Sequence, residues 1–392
     1  MSKLDNLIEK LCPDGVKFEE LKEICMVSIG EFVHKNKQRE DAKYPVFNGG
    51  ISNTGFYDEY NNEGNKILIS ARGANAGFIN KIESRYWAGN SCYSIDIKDK
   101  GSINWLYVYY YLKNNEKSLL WQQQTGSIPA ISKKQIESFK IPVPPLEVQC
   151  EIVHVLDDFT LLSAELSAEL KARKEQFNYY RDELIKTAHG AKYKTLSEIA
   201  TDMYRGTGIK RDEVTETGIP CVRYGEIYTT YNVLFDSCAS YTDEAKQKSK
   251  KYFEYGDVLF AITGESVEEI GKSTVYIGKE KCLAGGDIVV MKHNENPKYI
   301  GYALSTTEAQ MQKSKGKIKS KVVHSSIPAL KEISIPIPSL KEQERIANII
   351  ENFDKICNDI TSGLPAEIEA RQKQYEYYRD KLLTFKELKV NE

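Results

Sequence analysis

The sequence predicts an α+β protein: two mixed α/β modules separated by two long helices packed as an antiparallel coiled coil, related by a pseudo-two-fold internal repeat. Three observations lead there. One amphipathic phrase occurs twice, YYRDELI at 179–185 and YYRDKLL at 377–383. Each copy closes a segment of about 45 residues whose apolar positions recur at helical spacing. Each segment follows an irregular, glycine-punctuated module of about 125 residues.

The repeat is continuous. FKIPVPPLEVQCEIVHVLDDF (139–159) aligns with ISIPIPSLKEQERIANIIENF (333–353) at a constant offset of 194, sharing the core I-P-[VI]-P-x-L-x-x-Q. ARKEQFNYYRDEL (172–184) aligns with ARQKQYEYYRDKL (370–382) at an offset of 198, so the second copy gains four residues around SGLP (362–365). Upstream, GVKFEELKEI (15–24) resembles GAKYKTLSEI (190–199), and Pro45 pairs with Pro220, AGN at 88 with AGG at 284, SIPA at 127 with SIPA at 326. A period this long exceeds solenoid units of about 20–50 residues, which points to tandem duplication of a module plus a helix.

Prolines 142, 144 and 145 forbid helix, and after them Leu156, Phe159, Leu166, Leu170, Phe177, Tyr180 and Leu184 follow the 3-4 alternation of a heptad seam, weakened by Ser163 and Arg173. The second seam runs through Phe353, Cys357, Ile360 and Leu364, then Arg371, Tyr375, Tyr378 and Leu382. Its four extra residues act either as a stutter or as a break, with Gly363 ending one helix and Pro365 starting the next. The break is the favoured reading. Within the modules KILIS (66–70), DVLFAIT (257–263) and DIVVM (287–291) read as short apolar strands, and INWLYVYYYLKNN (103–115) as a buried helix whose aromatics are core rather than a stacking surface. The resulting boundaries are 1–140 for the first module, 141–188 for the central helical segment, 189–334 for the second module and 335–392 for the last helical segment.

Two bare seams in one chain are best covered by each other, and an antiparallel pairing holds the modules at opposite ends of a rod. At 1.5 Å per residue, 25–40 helical residues give roughly 37–60 Å. One turn of DNA is about 34–36 Å.

Composition narrows the class. The net charge of −2 argues against nucleic acid until it is divided: residues 145–188 and 339–388 together carry −6, which leaves +4 on the modules. There is no apolar leader and no run near 18 apolar residues, so the expectation is a cytoplasmic protein without a membrane span. The eight scattered cysteines form no CxxC pair and read as reduced, mostly buried thiols, and the five dispersed histidines give no zinc spacing. No N/D-P-P-[YF] tetrapeptide and no F-x-G-x-G loop is present; NPKY (296–299) lacks the second proline. TGESVEEIGKST (263–274) imitates a P-loop, but Ser266 stands where the first glycine is needed, and Glu265, Glu268 and Glu269 would repel phosphate.

The doubled I-P-x-P-x-L-x-x-Q and A-R-[KQ]-x-Q-[FY]-x-Y-Y-R-D phrases, in order over nearly the whole chain, resemble the specificity (S) subunit of type I restriction-modification systems. The resemblance implies two target-recognition domains, each binding one half of a split double-stranded DNA sequence, and conserved helical spacers between them. It implies docking of two methyltransferase subunits, which methylate adenine, and of restriction translocase subunits. It also implies a subunit with no catalysis and no cofactor of its own, S-adenosylmethionine, ATP and Mg being expected on the partners. The rival is a non-catalytic scaffold whose duplicated modules bind protein; salt-sensitive binding separates the two.

Candidate contacts follow from residue type. QKSKGKIKSK (312–321) sets Lys313, Lys315, Lys317, Lys319 and Lys321 on alternate residues, a density suited to phosphate contact or to a solvated loop. Gln122, Gln123 and Gln124 are of the type that reads adenine edges. Arg205, Lys210 and Arg211 lie beside two glycines, Arg72 stands in SARGANAG, and Lys35, Lys37 and Arg39 add charge to the first module. Arg223 either reaches guanine or pairs with Glu226. In the repeated phrase, Tyr179, Tyr180, Arg181, Tyr377, Tyr378 and Arg379 either cap the coiled coil and pair along it, or dock the methyltransferase.

Overall fold

The computed structural model describes residues 3–121, 129–247, 249–315, 322–358 and 364–388. The chain divides into two compact units, Met1–Glu165 with Ile368–Glu392, and Leu166–Glu367, so the division falls inside the long helix Leu146–Lys186.

In the first unit the sheet order is Cys25–Ile29, Cys92–Ile97, Lys66–Ser70, Ile79–Ile82. The predicted strand KILIS is buried on both faces, because side chains alternate across a sheet. Ile67 and Ile69 enter the main core, while Leu68 joins a smaller cluster with Phe47, Tyr86 and Cys92. INWLYVYYYLKNN becomes the helix Trp105–Asn114, capped by the Asn104 side chain, which accepts the Leu106 N–H. Its Tyr107, Val108, Tyr110 and Leu112 are buried, so the aromatics are core.

The second unit repeats the plan with larger sheets. Val258–Ala261 lies in a five-stranded sheet beside Ile288–His293 and Ser273–Tyr276. Val258 and Phe260 face one core, Leu259 and Ala261 another. NPKY opens the helix Pro297–Leu304: Asn296 caps it and Pro297 takes a first-turn position where its missing N–H costs nothing. The P-loop imitation fails structurally too, since Lys272 leads into the strand Ser273–Tyr276 and not into a helix.

The shared phrase I-P-x-P-x-L-x-x-Q is explained by contacts made twice. Pro142 and Pro336 sit in two-stranded ladders, where a missing N–H is tolerated: Lys140–Val143 against Lys17–Glu20, and Ser334–Ile337 against Lys192–Thr195. Tyr107 donates its hydroxyl to Pro142 O at 2.9 Å, and Tyr299 to Pro336 O at 2.8 Å. Gln149 accepts from Asn104 N–H at 2.8 Å and donates to Pro144 O at 2.7 Å. Gln343 accepts from Asn296 N–H at 2.9 Å and donates to Pro338 O at 2.9 Å. Both glutamines are fully buried, and each latches the start of a long helix to the cap of a module helix.

Within each unit the helical segments pair in opposite directions. In the second, Tyr180 stacks on Phe353 with ring centroids 6.5 Å apart, and the His189 N–H reaches Glu342. In the first, Phe159 meets Tyr375 and Tyr378 at 6.3 and 5.7 Å, and Leu383 then enters the core of Val148, Ile152 and Leu156. Along the long helix Leu156 and Phe177 are buried, Phe159, Ser163, Leu166, Leu170 and Leu184 are half-buried, and Tyr180 is exposed. The described parts of the second segment are two helices, Leu340–Asn358 and Leu364–Leu382, with Pro365 in the first turn of the latter. Residues 359–363, which decide between stutter and break and include seam position Ile360, lie outside the described residues. Beyond the last helix, Val16 N–H donates to Lys386 O at 2.9 Å and Leu388 N–H to Val16 O at 2.8 Å.

Candidate nucleic-acid interface

Each unit gathers four connections at strand ends, and main-chain hydrogen bonds do the gathering. In the first unit Gly30 N–H donates to Cys92 O at 3.0 Å, Glu31 N–H to Ala88 O at 2.8 Å, and Gly89 N–H to Phe47 O at 2.8 Å. Ala71 N–H closes the set on Ser91 O at 2.7 Å. In the second unit the same bonds run from Gly206 to Ile288 O (2.8 Å), Thr207 to Ala284 O (3.0 Å), Gly285 to Val222 O (2.8 Å) and Ile262 to Asp287 O (3.0 Å). Glycine is required at the closest approach: a Cβ on Gly30 would lie 2.3 Å from Ala88 O, and one on Gly206 would lie 2.2 Å from Gly285 O. The AGN/AGG echo in the sequence marks this clasp.

Six predicted cations ride on the clasped connections with their charge unpaired or partly so. Lys35 and Lys37 are exposed on the turn Lys35–Lys37, and Arg72, Lys210 and Arg211 are exposed; none of the five makes an ion pair among the described residues. Arg39 is exposed but shared between Asp41 at 3.1 Å and Asp58 at 3.2 Å. Two others are tied down. Arg205 pairs with Asp287 and donates to Gly286 O at 2.6 Å, bracing the clasp. Arg223 takes its bland alternative, pairing at 3.0 Å with Glu226, which also accepts the Ser240 hydroxyl at 2.5 Å.

Lys313 is not on the surface where the alternating lysines place it. It is 4% exposed, and its Nζ donates to Leu304 O at 2.8 Å and Ser273 Oγ at 3.1 Å. Burial, with the Arg181 charge nearby, brings its pKa down to about 7. The cause is helical period: Lys313 falls four residues after buried Ala309 on the helix Thr307–Ser314. Lys315 is exposed. Lys317, Lys319, Lys321, Gln122, Gln123 and Gln124 lie outside the described residues.

The repeated phrase folds identically in both copies. Tyr179 and Tyr180 meet edge to face at 5.5 Å, and Tyr377 and Tyr378 at 5.4 Å. Arg181 lies over Phe177 and Arg379 over Tyr375, at 5.7 and 5.6 Å. Each arginine pairs with the next residue, Asp182 at 2.7 Å and Asp380 at 2.9 Å, and not along the coil. Tyr179 and Tyr377 are the most exposed members, at 63% and 64%, while Arg181 is buried.

One side chain of base-reading type escapes inspection of the sequence. Asn48 is exposed and follows the strand Tyr44–Phe47 as Arg223 follows Ile219–Val222. The signal for it is the Pro45/Pro220 echo, whose offset places Asn48 opposite Arg223. Exposed Met26, Ile29, Phe32 and Ile51 stand in the same module without a polar signature. Among the described residues six cysteines are buried, and burial pushes the Cys25 and Cys221 thiols up to about 12 and Cys92 to about 11, which leaves them unreactive. Among the described residues no helix is long and apolar enough to cross a membrane.

Comparison with known proteins agrees with the doubled plan. Residues 13–173 and 190–370 each match the family described as the type I restriction modification DNA specificity domain. The chain is 35% identical, over 71% of its length and 70% of the relative's, to the Type I restriction enzyme EcoR124I/EcoR124II specificity subunit of Escherichia coli. It is 29% identical, over 90% of each chain, to a putative type I restriction enzyme specificity subunit of Haemophilus influenzae. In fold it is similar to the S subunit of a type I restriction-modification system from M. genitalium, with a TM-score of 0.57 at 16% identity over 94% of this chain and 96% of that one. A chain from a structure of type I R-M complex assembly gives a TM-score of 0.64 at 13% identity, covering 95% of this chain and 98% of that one.

Proposed function

The chain belongs to the family of type I restriction-modification DNA specificity subunits, and from that premise we propose that it reads a bipartite double-stranded target, one half-site per recognition domain. The recognition domains are residues 1–140 and 189–334, and 141–188 and 335–392 are the spacers. The clasped connections face the DNA. Lys35, Lys37, Arg72, Lys210 and Arg211 neutralise phosphates and so set register, while Asn48 reads a base edge. The observation that carries this reading is the clasp itself, built twice from the same main-chain bonds and presenting exposed cations each time.

The chain is a non-catalytic member of a cytoplasmic complex. Two methyltransferase subunits dock on the exposed tyrosines of the repeated phrase, Tyr179 and Tyr377, with Tyr180 and Tyr378 beside them. They methylate adenine after flipping it from the stack. Restriction subunits complete the assembly, and S-adenosylmethionine, ATP and Mg belong to those partners. The experiment is genome-wide mapping of methylated adenines in the host, with the gene intact, deleted, or carrying residues 1–140 from a relative. Deletion should erase one bipartite motif, and the exchange should alter one half of it alone. A methylome unchanged by deletion overturns the reading.

A further inference from the structure

A cavity of about 340 Å³ opens in the second unit, where the end of the long helix meets the helix Thr307–Ser314 and the strand Ser273–Tyr276. Lys174, Arg181, Lys272 and Lys313 line it, with Asn178 and Asp354. Lys313 is the most deeply buried of these cations. Its ammonium is almost wholly out of water, yet its two acceptors, Leu304 O and Ser273 Oγ, are neutral, and it makes no ion pair among the described residues. An uncompensated buried cation is among the least favourable groups a protein carries.

Its neighbours aggravate the imbalance. Arg181 is buried, held by Asp182 and by Asn178 Oδ1 at 3.0 Å. Lys272 donates to Tyr228 O at 3.1 Å, and exposed Lys174 makes no ion pair among the described residues. Against these four cations stand two carboxylates, Asp182 and Asp354, the second already accepting the Tyr302 hydroxyl at 3.2 Å. A structural duty explains part of this: Lys313 satisfies the last carbonyl of the helix Pro297–Leu304. It does not explain the rest, because Lys174 and Lys313, unlike Arg181, are not part of the duplicated scaffold. At the aligned positions of the first half, Lys313 corresponds to Trp121 and Lys174 to Gln372.

We infer that this cavity is a binding site for a small phosphate-type anion, inorganic phosphate or a phosphoryl group on a small carrier. The anion would supply the counter-charge that Lys313 lacks and join the long helix to the module helix beside it. The volume falls at the lower end of the roughly 300–1,000 Å³ of small-molecule sites, and the cavity is set apart from the clasp by its own lining. The site is independent of the recognition reading.

The test is calorimetric titration of the full-length chain with inorganic phosphate and with pyrophosphate, chloride holding ionic strength constant. One saturable site is expected, weakened about tenfold or more in Lys313→Met and in the double variant Lys174→Gln/Lys272→Gln, the latter altering side chains outside the core. Absence of saturable binding into the tens of millimolar, or affinity unchanged in both variants, overturns the site. A random-sequence duplex should leave phosphate binding intact; a duplex that displaces phosphate makes the cavity part of a DNA path and also overturns it. DNA binding measured separately by mobility shift keeps this outcome distinct from that of the recognition reading.

Discussion

Replacing Gln149 by leucine should destabilise the first unit by about 3–5 kcal/mol, because three main-chain groups lose their partner at once. The side chain is fully buried, accepts from Asn104 N–H at 2.8 Å, and donates to Pro144 O at 2.7 Å and Ser102 O at 3.0 Å. Leucine fills a similar volume, so the loss is that of orphaned polar groups, each worth roughly 1–3 kcal/mol, partly offset by the apolar side chain. Gln343→Leu should cost less, about 2–3 kcal/mol. It orphans Asn296 N–H and Pro338 O, but its third partner, Glu295, is half-exposed and can turn to water. Tryptophan fluorescence separates the two, because Trp87, Trp105 and Trp121 all precede residue 165. In urea, Gln149→Leu should lower the fluorescence midpoint at unchanged slope, whereas Gln343→Leu should move only the remaining circular-dichroism transition. A Gln149→Leu protein within about 1 kcal/mol of the parent would refute the latch, since that is less than the penalty of a single orphan.

Lys313 makes stability depend on pH. Its folded-state pKa is depressed to about 7 from 10.5, so above pH 7 the native state sheds this proton while the unfolded chain keeps it. Stability should therefore rise by about 1.4 kcal/mol per pH unit within that window. Lys313→Met should flatten the rise between about pH 7.5 and 9.5, and parallel urea-midpoint profiles would contradict the burial argument. Lys210→Ala/Arg211→Ala should make the salt dependence of duplex binding shallower by about 2 in log–log slope, across all sequences, when anisotropy is followed from about 50 to 200 mM salt. An unchanged slope removes both from the DNA path. A third SAEL unit inserted after Leu170 should lengthen the helix by about 6 Å and widen the preferred gap between half-sites by one or two base pairs. Methylation profiling that finds the gap unaltered refutes the view that the length of the rod sets the gap.

The duplication is legible because repeated contacts demand repeated residues. Gln149 and Gln343, Tyr107 and Tyr299, and Pro142 and Pro336 each fill one role, and chemistry leaves few substitutes for it. The charged residues are legible only by type. Arg205 looks free in the sequence, but its acid, Asp287, lies 82 residues away, and Arg39 is held by Asp58, 19 residues away, as well as by Asp41 beside it. Lys313 illustrates a clash of periods: five lysines on alternate residues imply an exposed strand or loop, whereas the helix Thr307–Ser314 turns the first of them inward. The clasp escapes notice because its bonds are main-chain bonds, and only its glycines leave a trace.

That last property has an evolutionary consequence. A surface held by its backbone places no stability demand on the outward side chains it displays, and exchanges at exposed positions of this kind change folding free energy by only about 0.5 kcal/mol. Where that surface is the one that meets DNA, as proposed above, new target sequences are reachable by single steps that leave folding untouched, while Gly30 and Gly206 stay fixed beneath it.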